Sequence, residues 1–319
     1  MPESEVKVAL IGAGNWGRNL VKNFYHLGVL AAVVDEDERR LYEVGKDYPD
    51  VKLLNSTDDV WDMPVSAVAI ATPAPTHYAL AKTALMAGKD VFVEKPLALR
   101  ATEAEELSSL ARENSCLLMV GHLLLYQPAI RWIKDFIAQG NLGKIYSLHE
   151  ERLNLGRARA VENALWSLGV HDVAIFLDIV GEKPREIKVT GQQALQPGIE
   201  DDVYLHLSFP GGVFAHLHAS WLWPEKRRRL TVIGEEGMLV YDEIAQTVTW
   251  HKKSINSKLE NVDKGEEVVF RGDAEPLKIE LSHFIECCKN RAKPYSDGES
   301  AVAVVQVLEK ANHLLEAKI

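Results

Sequence analysis

The chain has 319 residues, 47% apolar and 26% charged, and its formal net charge is −10. That length exceeds what one open sheet around one core requires and suits two domains, and the ordinary charged fraction excludes disorder. The negative charge argues against a nucleic-acid or anionic-membrane surface, no apolar run is long enough to span a bilayer, and three unevenly placed cysteines, Cys116, Cys287 and Cys288, suit a reducing cytoplasm and give no metal spacing.

The first residues are polar and acidic and carry no signal-peptide pattern. Val6, Val8, Leu10 and Ile11 predict a buried parallel strand. It runs into Gly12-Ala13-Gly14-Asn15-Trp16-Gly17, a G-x-G-x-x-G turn. Leu20, Val21, Phe24 and Leu27 then recur at helical spacing as far as Gly28, and residues 30–34 are a second apolar run ending at Asp35. A glycine-rich turn alone is weak evidence. Strand, turn, helix, second strand and an acid about 20 positions on predict a dinucleotide site together. Gly12 permits the tight turn, Gly14 the approach of a pyrophosphate, and Gly17 close packing of helix on strand, while the helix amino end favours phosphate charge. Asn15 and Trp16 complete that turn. Asp35 can accept from both ribose hydroxyls and would repel a 2′-phosphate, which favours NAD over NADP. Arg39 and Arg40 follow it. A solvated helix start is their ordinary reading, with Arg39 a candidate at the cofactor.

A charged helix over 39–48 and a strand over 51–54 come next, then a helical turn from 57 and a fourth strand over 67–71. Two prolines in Thr72-Pro73-Ala74-Pro75-Thr76-His77 make this a loop at the carboxyl end of the sheet, where ligands bind in open parallel sheets. A helix over 78–87, a strand over 90–93, a helix over 102–113 with Thr102 and Glu105 at capping-box spacing, and a strand over 117–120 complete a doubly wound α/β domain, residues 1–121. After Gly121 the pattern changes. A helix over 127–139 precedes strands over 144–153, 185–190, 203–209, 213–220, 228–233, 238–241 and 247–250. Pro210-Gly211-Gly212 and Glu235-Glu236-Gly237 read as hairpin turns, which predicts an antiparallel sheet. Helices over 276–290 and 299–317 end a second domain, residues 122–319.

Three further stretches carry chemistry. Glu94-Lys95-Pro96 follows the fifth strand at the cofactor edge, where a lysine can reach both nicotinamide ribose and a substrate hydroxyl. Pro96 turns the chain there and can be cis. His171 begins an apolar helix. Its near-neutral side-chain pKa suits removal of a hydroxyl proton, although such a histidine is more often a cap or a core residue. Residues 151–163 offer Arg152, Arg157, Arg159, Asn154 and Asn163 on a glycine-broken stretch, as diphosphate donors or as a solvated loop. Arg227-Arg228-Arg229 reads as a protected sheet edge. His216 and His218 alternate on one strand without a third ligand, so no metal site is expected.

With Gly12–Gly17, Ala71-Thr72-Pro73 plus His77, Glu94-Lys95-Pro96 and Leu168-Gly169-Val170-His171 in this order, the chain resembles the Gfo/Idh/MocA oxidoreductase family over essentially its whole length. The resemblance implies a Rossmann domain, then an α/β domain whose large, mostly antiparallel sheet commonly forms subunit contacts, hence a cytoplasmic homo-oligomer. It implies redox chemistry at a sugar-like carbinol with NAD, Lys95 and His171 as the catalytic residues, and Thr72, Pro73, His77 and Glu94 beside the cofactor. Residues 121–128, 154–157 and 162–167 look like the subgroup that oxidises nucleotide sugars at C3. This implies UDP-N-acetylglucosamine or its uronate as substrate and an aminotransferase as downstream partner in lipid A or surface-glycan precursor synthesis. His122, Tyr126, Asn154, Arg157, Asn163 and Trp166 would then join Lys95 and His171 on the substrate side. A free sugar or polyol is another substrate reading. A non-enzymatic NAD-dependent sensor would need neither Lys95 nor His171. One departure stands out: many members carry an acid four residues before the histidine, and here it is Ser167. Asp172 is adjacent to the histidine, but its side chain is expected to point elsewhere.

Overall fold

The computed structural model describes residues 6–273 and 275–317. Its first part alternates strands and helices: β1 (Val8–Ile11), α1 (Gly17–His26), β2 (Leu30–Val34), α2 (Glu38–Asp47), β3 (Lys52–Leu54), α3 (Asp58–Trp61), β4 (Ala67–Ile70), α4 (His77–Met86), β5 (Asp90–Glu94), α5 (Ala101–Glu113) and β6 (Leu118–Gly121). The six strands form one parallel sheet in the order β3-β2-β1-β4-β5-β6. β1, β4, β5 and β6 are buried along their full length, as strands covered on both faces must be. Strand order reverses between β1 and β4, and the crevice outside their carboxyl ends is the ligand position of such sheets. The capping box expected at Thr102 is absent. The helix starts one residue earlier with Arg100 at its cap, and the Arg100 guanidinium binds Glu103 at 2.6 Å.

The second part opens with α6 (Pro128–Ala138), β7 (Ile145–Leu155), a π-helical turn over Leu165–Gly169 and α7 (Val170–Val180). Seven strands follow: β8 (Glu186–Gln192), β9 (Asp202–Ser208), β10 (Phe214–Ser220), β11 (Leu222–Gly234), β12 (Gly237–Asp242), β13 (Thr247–Ile255) and β14 (Asn261–Arg271). With β7 they make an eight-stranded sheet, β14-β13-β12-β11-β7-β10-β9-β8. It is mixed, because β7 and β10 run parallel, while every other neighbouring pair is antiparallel. β14 was not anticipated. Its sequence, N-V-D-K-G-E-E-V-V-F-R, belongs to an edge strand with mostly solvated faces and shows no apolar alternation. The Arg227–Arg229 stretch is not at a sheet edge, since β11 is paired on both sides.

Two helices end the chain, α8 (Pro276–Asn290) and α9 (Gly298–Glu316). The compact units are not 1–121 and 122–319. Residues up to 123 group with 275–305, and residues from 124 to the end of the sheet group with 306 onward. The physical reason is an apolar seat on the first sheet. The Phe284 ring of α8 lies 6.5 Å from that of Phe24 on α1 and 5.7 Å from that of Phe92 on β5, and Arg291 binds Asp90 at 2.6 Å.

Candidate active site

The turn after β1 is built to hold a phosphate chain. A Cβ on Gly17 would stand 2.0 Å from the Gly12 carbonyl oxygen, so α1 can start this close to the strand only as glycine. No side chain caps α1 and its first turn holds no acid, which leaves its amino end open to an anion. Asp35, at the carboxyl end of β2, accepts from the backbone N–H of Ala13 at 2.7 Å and from that of Asp37 at 2.9 Å. These bonds fix the acid against the glycine turn and leave oxygen lone pairs for a ribose. The residues therefore fit a dinucleotide. The guanidinium beside Asp35 belongs to Arg40, at 3.4 Å, whereas Arg39 is exposed. Asp37 caps α2 and places Arg40 one turn on, facing back to Asp35. The spacing D-x-D-x-x-R carried that signal.

Lys95 follows β5 through a cis Lys95–Pro96 peptide. His77 is buried, with Nδ1 2.7 Å from the Pro96 carbonyl oxygen and Nε2 2.8 Å from that of Thr72. Expected beside the cofactor, His77 instead ties the Thr72-Pro73 loop to the Lys95-Pro96 loop. Glu94 is buried and accepts from Trp16 Nε1–H at 2.5 Å. A Cβ on Gly121 would meet a Glu94 oxygen at 3.0 Å, so bare backbone on β6 makes room for this carboxyl. Burial pushes Glu94 up to about 7 against the opposing effects of the Trp16 bond and the Lys95 charge. Burial, then the Lys95 charge, pulls His122 down to about 3, so its imidazole is neutral at any working pH. His122 thus contributes to the surroundings of Lys95 from a buried position rather than from an open substrate-facing one.

A stability prediction follows for Glu94. Its folded pKa lies above the unfolded value, so its favourable contribution is complete below about pH 4.5 and is lost as pH rises through 7. Glu94→Gln keeps an acceptor for Trp16. It is expected to be more stable than the parent by about 2–3 kcal/mol at pH 8, with the difference vanishing at pH 4. Thermal denaturation at the two pH values checks this, and an equal difference at both would refute it.

In the second unit His171 occupies the first turn of α7 and is half-buried. The π-helical turn before it is a feature often found at functional sites. Ser167 accepts from Trp221 Nε1–H at 3.1 Å and so has a structural use. Asp172 is fully buried. Both its oxygens accept from Arg152 Nε at 2.7 Å. Arg152 also binds Glu243 at 3.0 Å and lies 3.5 Å from Glu150. Burial raises Asp172 to about 6 in spite of Arg152, and burial followed by the Asp172 charge raises Glu150 further. Arg152 is therefore the centre of an internal ion cluster and not a diphosphate donor.

The expected substrate residues divide by exposure. Tyr126 and Trp166 are buried. Asn163 is buried too, and its amide nitrogen donates to Glu200 at 2.8 Å and Asn312 at 3.0 Å while its oxygen accepts from the Trp166 N–H. That amide has no donor left for a ligand. Asn154 is half-buried and accepts from Arg228, and Arg157 is exposed. Residues 151–155 belong to β7, so the loop is shorter than expected. Among the described residues no group of side chains could hold a metal, and no helix is long and apolar enough to cross a membrane.

A six-stranded parallel sheet with an open glycine cradle and an acid at the second strand tip defines an NAD-dependent oxidoreductase. The chain belongs to the Gfo/Idh/MocA family: residues 6–122 match the oxidoreductase family's NAD-binding Rossmann fold, and residues 130–240 match the GFO/IDH/MocA C-terminal domain. It is 25% identical over 318 residues to the UDP-N-acetylglucosamine 3-dehydrogenase of Acidithiobacillus ferrooxidans, covering 98% of each chain. A crystal form of that enzyme superposes with a TM-score of 0.88 over 98% of this chain and 97% of the other. An oxidoreductase from Magnetospirillum magnetotacticum is 32% identical, with a TM-score of 0.83 over 96% of this chain and 99% of the other.

Proposed function

We propose that this protein oxidises the C3 hydroxyl of a UDP-sugar with NAD, UDP-N-acetylglucosamine being the first candidate. The observation that carries this reading is end-to-end similarity, in sequence and in fold, to an enzyme of that activity. NAD, when bound, supplies the hydride acceptor. The chain's own residues supply the rest. His171 removes the hydroxyl proton as general base. The Lys95 ammonium holds the oxygen and stabilises developing alkoxide. Glu94 orients Lys95 and, through Trp16, the glycine turn. Arg157 and Asn154 are the exposed and half-exposed donors available to a sugar or diphosphate.

The product is a 3-keto sugar, which suits consumption by an aminotransferase making a 3-amino sugar for lipid A or a surface glycan. The setting would be the cytoplasm. The protein would work as a homo-oligomer through its eight-stranded sheet. Val268, Thr249, Val240, Thr231, His149, His216 and His206 are neighbours in one row across that sheet, on the face where Tyr204 and Phe214 are also exposed.

The test is anaerobic mixing of the protein and excess NAD with UDP-N-acetylglucosamine, with an aminotransferase or ketone trap present because the oxidation is uphill. NADH formation with a sugar nucleotide two hydrogens lighter supports the reading. Reduction with the uronate alone moves the substrate to the C6-oxidised sugar. Reduction by free sugars, unaffected by UDP, would refute the nucleotide-sugar assignment.

A further inference from the structure

Glu280 of α8 is 1% exposed, and neither of its carboxyl oxygens has a hydrogen-bond partner among the described residues. Its place follows from two periodicities. Glu280 precedes Phe284 by one helical turn, on the same face of α8. Glu94 follows Phe92 by two residues, on the same face of β5. The Phe284 and Phe92 rings are 5.7 Å apart, and the two carboxyls are close enough for the Glu94 charge to act on Glu280. Glu94 has support for a negative charge: the Trp16 N–H, a backbone bond at Lys95 and the Lys95 ammonium. Glu280 has none of these. Two neighbouring carboxyls in a dry site do not both ionise, so the proton resides on the one without support.

We propose that Glu280 is a positioning residue: it remains protonated behind Glu94, so that the pair carries at most one negative charge, matched by Lys95, under the cofactor turn. Burial and the Glu94 charge act on Glu280 in the same direction, well above the ordinary carboxylate range. Among the described residues the groups acting on Glu94 are Trp16 at the start of α1, Lys95 from its own loop and Glu280 from α8, of which Lys95 is the cation, while the neutral His122 stands by Lys95. A second negative charge here would hold the Lys95 proton too tightly and would face the anionic cofactor. The proposal deepens the reading of Glu94 and Lys95 as cofactor-side machinery. It is tested without any sugar, so a failed substrate assay leaves it standing.

The test uses the whole protein with Glu280→Gln and Glu280→Leu. Infrared spectra at neutral pH report buried protonated carboxyls, and Trp16 emission followed against pH reports the charge on Glu94, the signal being assigned by its loss in Glu94→Gln. The parent-minus-variant difference spectrum is expected to show a protonated-carboxyl band for both Glu280 variants, over the bands that Glu94, Glu150 and Asp172 contribute to all three proteins. Glu280→Gln keeps a neutral donor, so its Trp16 midpoint should stay within about 0.3 pH units of the parent and its NAD affinity within about twofold. Glu280→Leu removes the dipole, so the midpoint should rise by about one unit and NAD affinity at pH 7 should fall about threefold. The absence of a difference band between the parent and Glu280→Gln, a midpoint lowered by a unit or more in that variant, or a parent-like titration in Glu280→Leu would each overturn the proposal. If the Trp16 signal persists in Glu94→Gln, the infrared band decides alone.

Discussion

Replacing His171 by alanine is expected to lower kcat by about 10²–10⁴-fold while NAD affinity changes less than about threefold. The base contributes to the transition state and not to dinucleotide binding. His171 belongs to the second unit and the glycine turn and Asp35 to the first, so its loss is expected to leave that cradle intact. Lys95→Ala is expected to cost about 10²–10³-fold, the usual scale for one electrostatic stabiliser of a developing oxyanion. Lys95 also helps to keep Glu94 ionised, so this variant should be measured at pH 8 or above, where Glu94 is less protonated. Single-turnover NADH formation with the proposed sugar nucleotide, together with NAD titration, separates the two contributions. Either variant retaining more than a tenth of parental kcat would remove that residue from its role.

The second large effect is structural. Arg152→Met should destabilise the protein by about 3–5 kcal/mol at pH 8, the range for removing one partner of a buried ion pair. Asp172, Glu150 and Glu243 all face the Arg152 guanidinium. Without it, the nearby cation among the described residues is Arg228, already bonded to the Leu153 carbonyl and to Asn154. The sign of the pH dependence is set by Asp172 and Glu150, whose folded pKa values are raised. Their favourable contribution is present at low pH and is lost as pH rises through about 6 for Asp172 and higher for Glu150. In the variant both rise further, so its deficit should be smallest near pH 5 and grow toward pH 8. Urea denaturation at the two values measures it, and a loss below about 1 kcal/mol at pH 8 would mean that the cluster does not hold α7 to β7. Because Asp172 follows His171 directly, kcat should fall as well.

Local signals in the chain were enough for the first sheet. Each strand there is an apolar run beside a helix of 3.6-residue period, and glycines at 12, 14 and 17 with Asp35 define a cradle from residues close in sequence. The positions of Lys95, just past β5, and of His171, in the first turn of α7, were readable for the same reason, as each stands at the end or start of a strongly patterned element. What tertiary structure decided lies where partners are far apart in the chain. Arg152, on β7, reads as a loop donor until α7 and the end of β12 bring Asp172 and Glu243 to it. Asn163 reads as a ligand contact until Glu200 and Asn312 take its amide. His77 reads as a cofactor neighbour until Pro96, 19 residues on, accepts its second ring contact. α8 reads as part of the second domain until Phe284 meets Phe24 and Phe92. Glu280 alone had a local trace, an acid on the apolar face that Leu281 and Phe284 define. Periodicity reports which face of an element is buried, whereas charge compensation in the interior depends on contacts that only the folded chain makes.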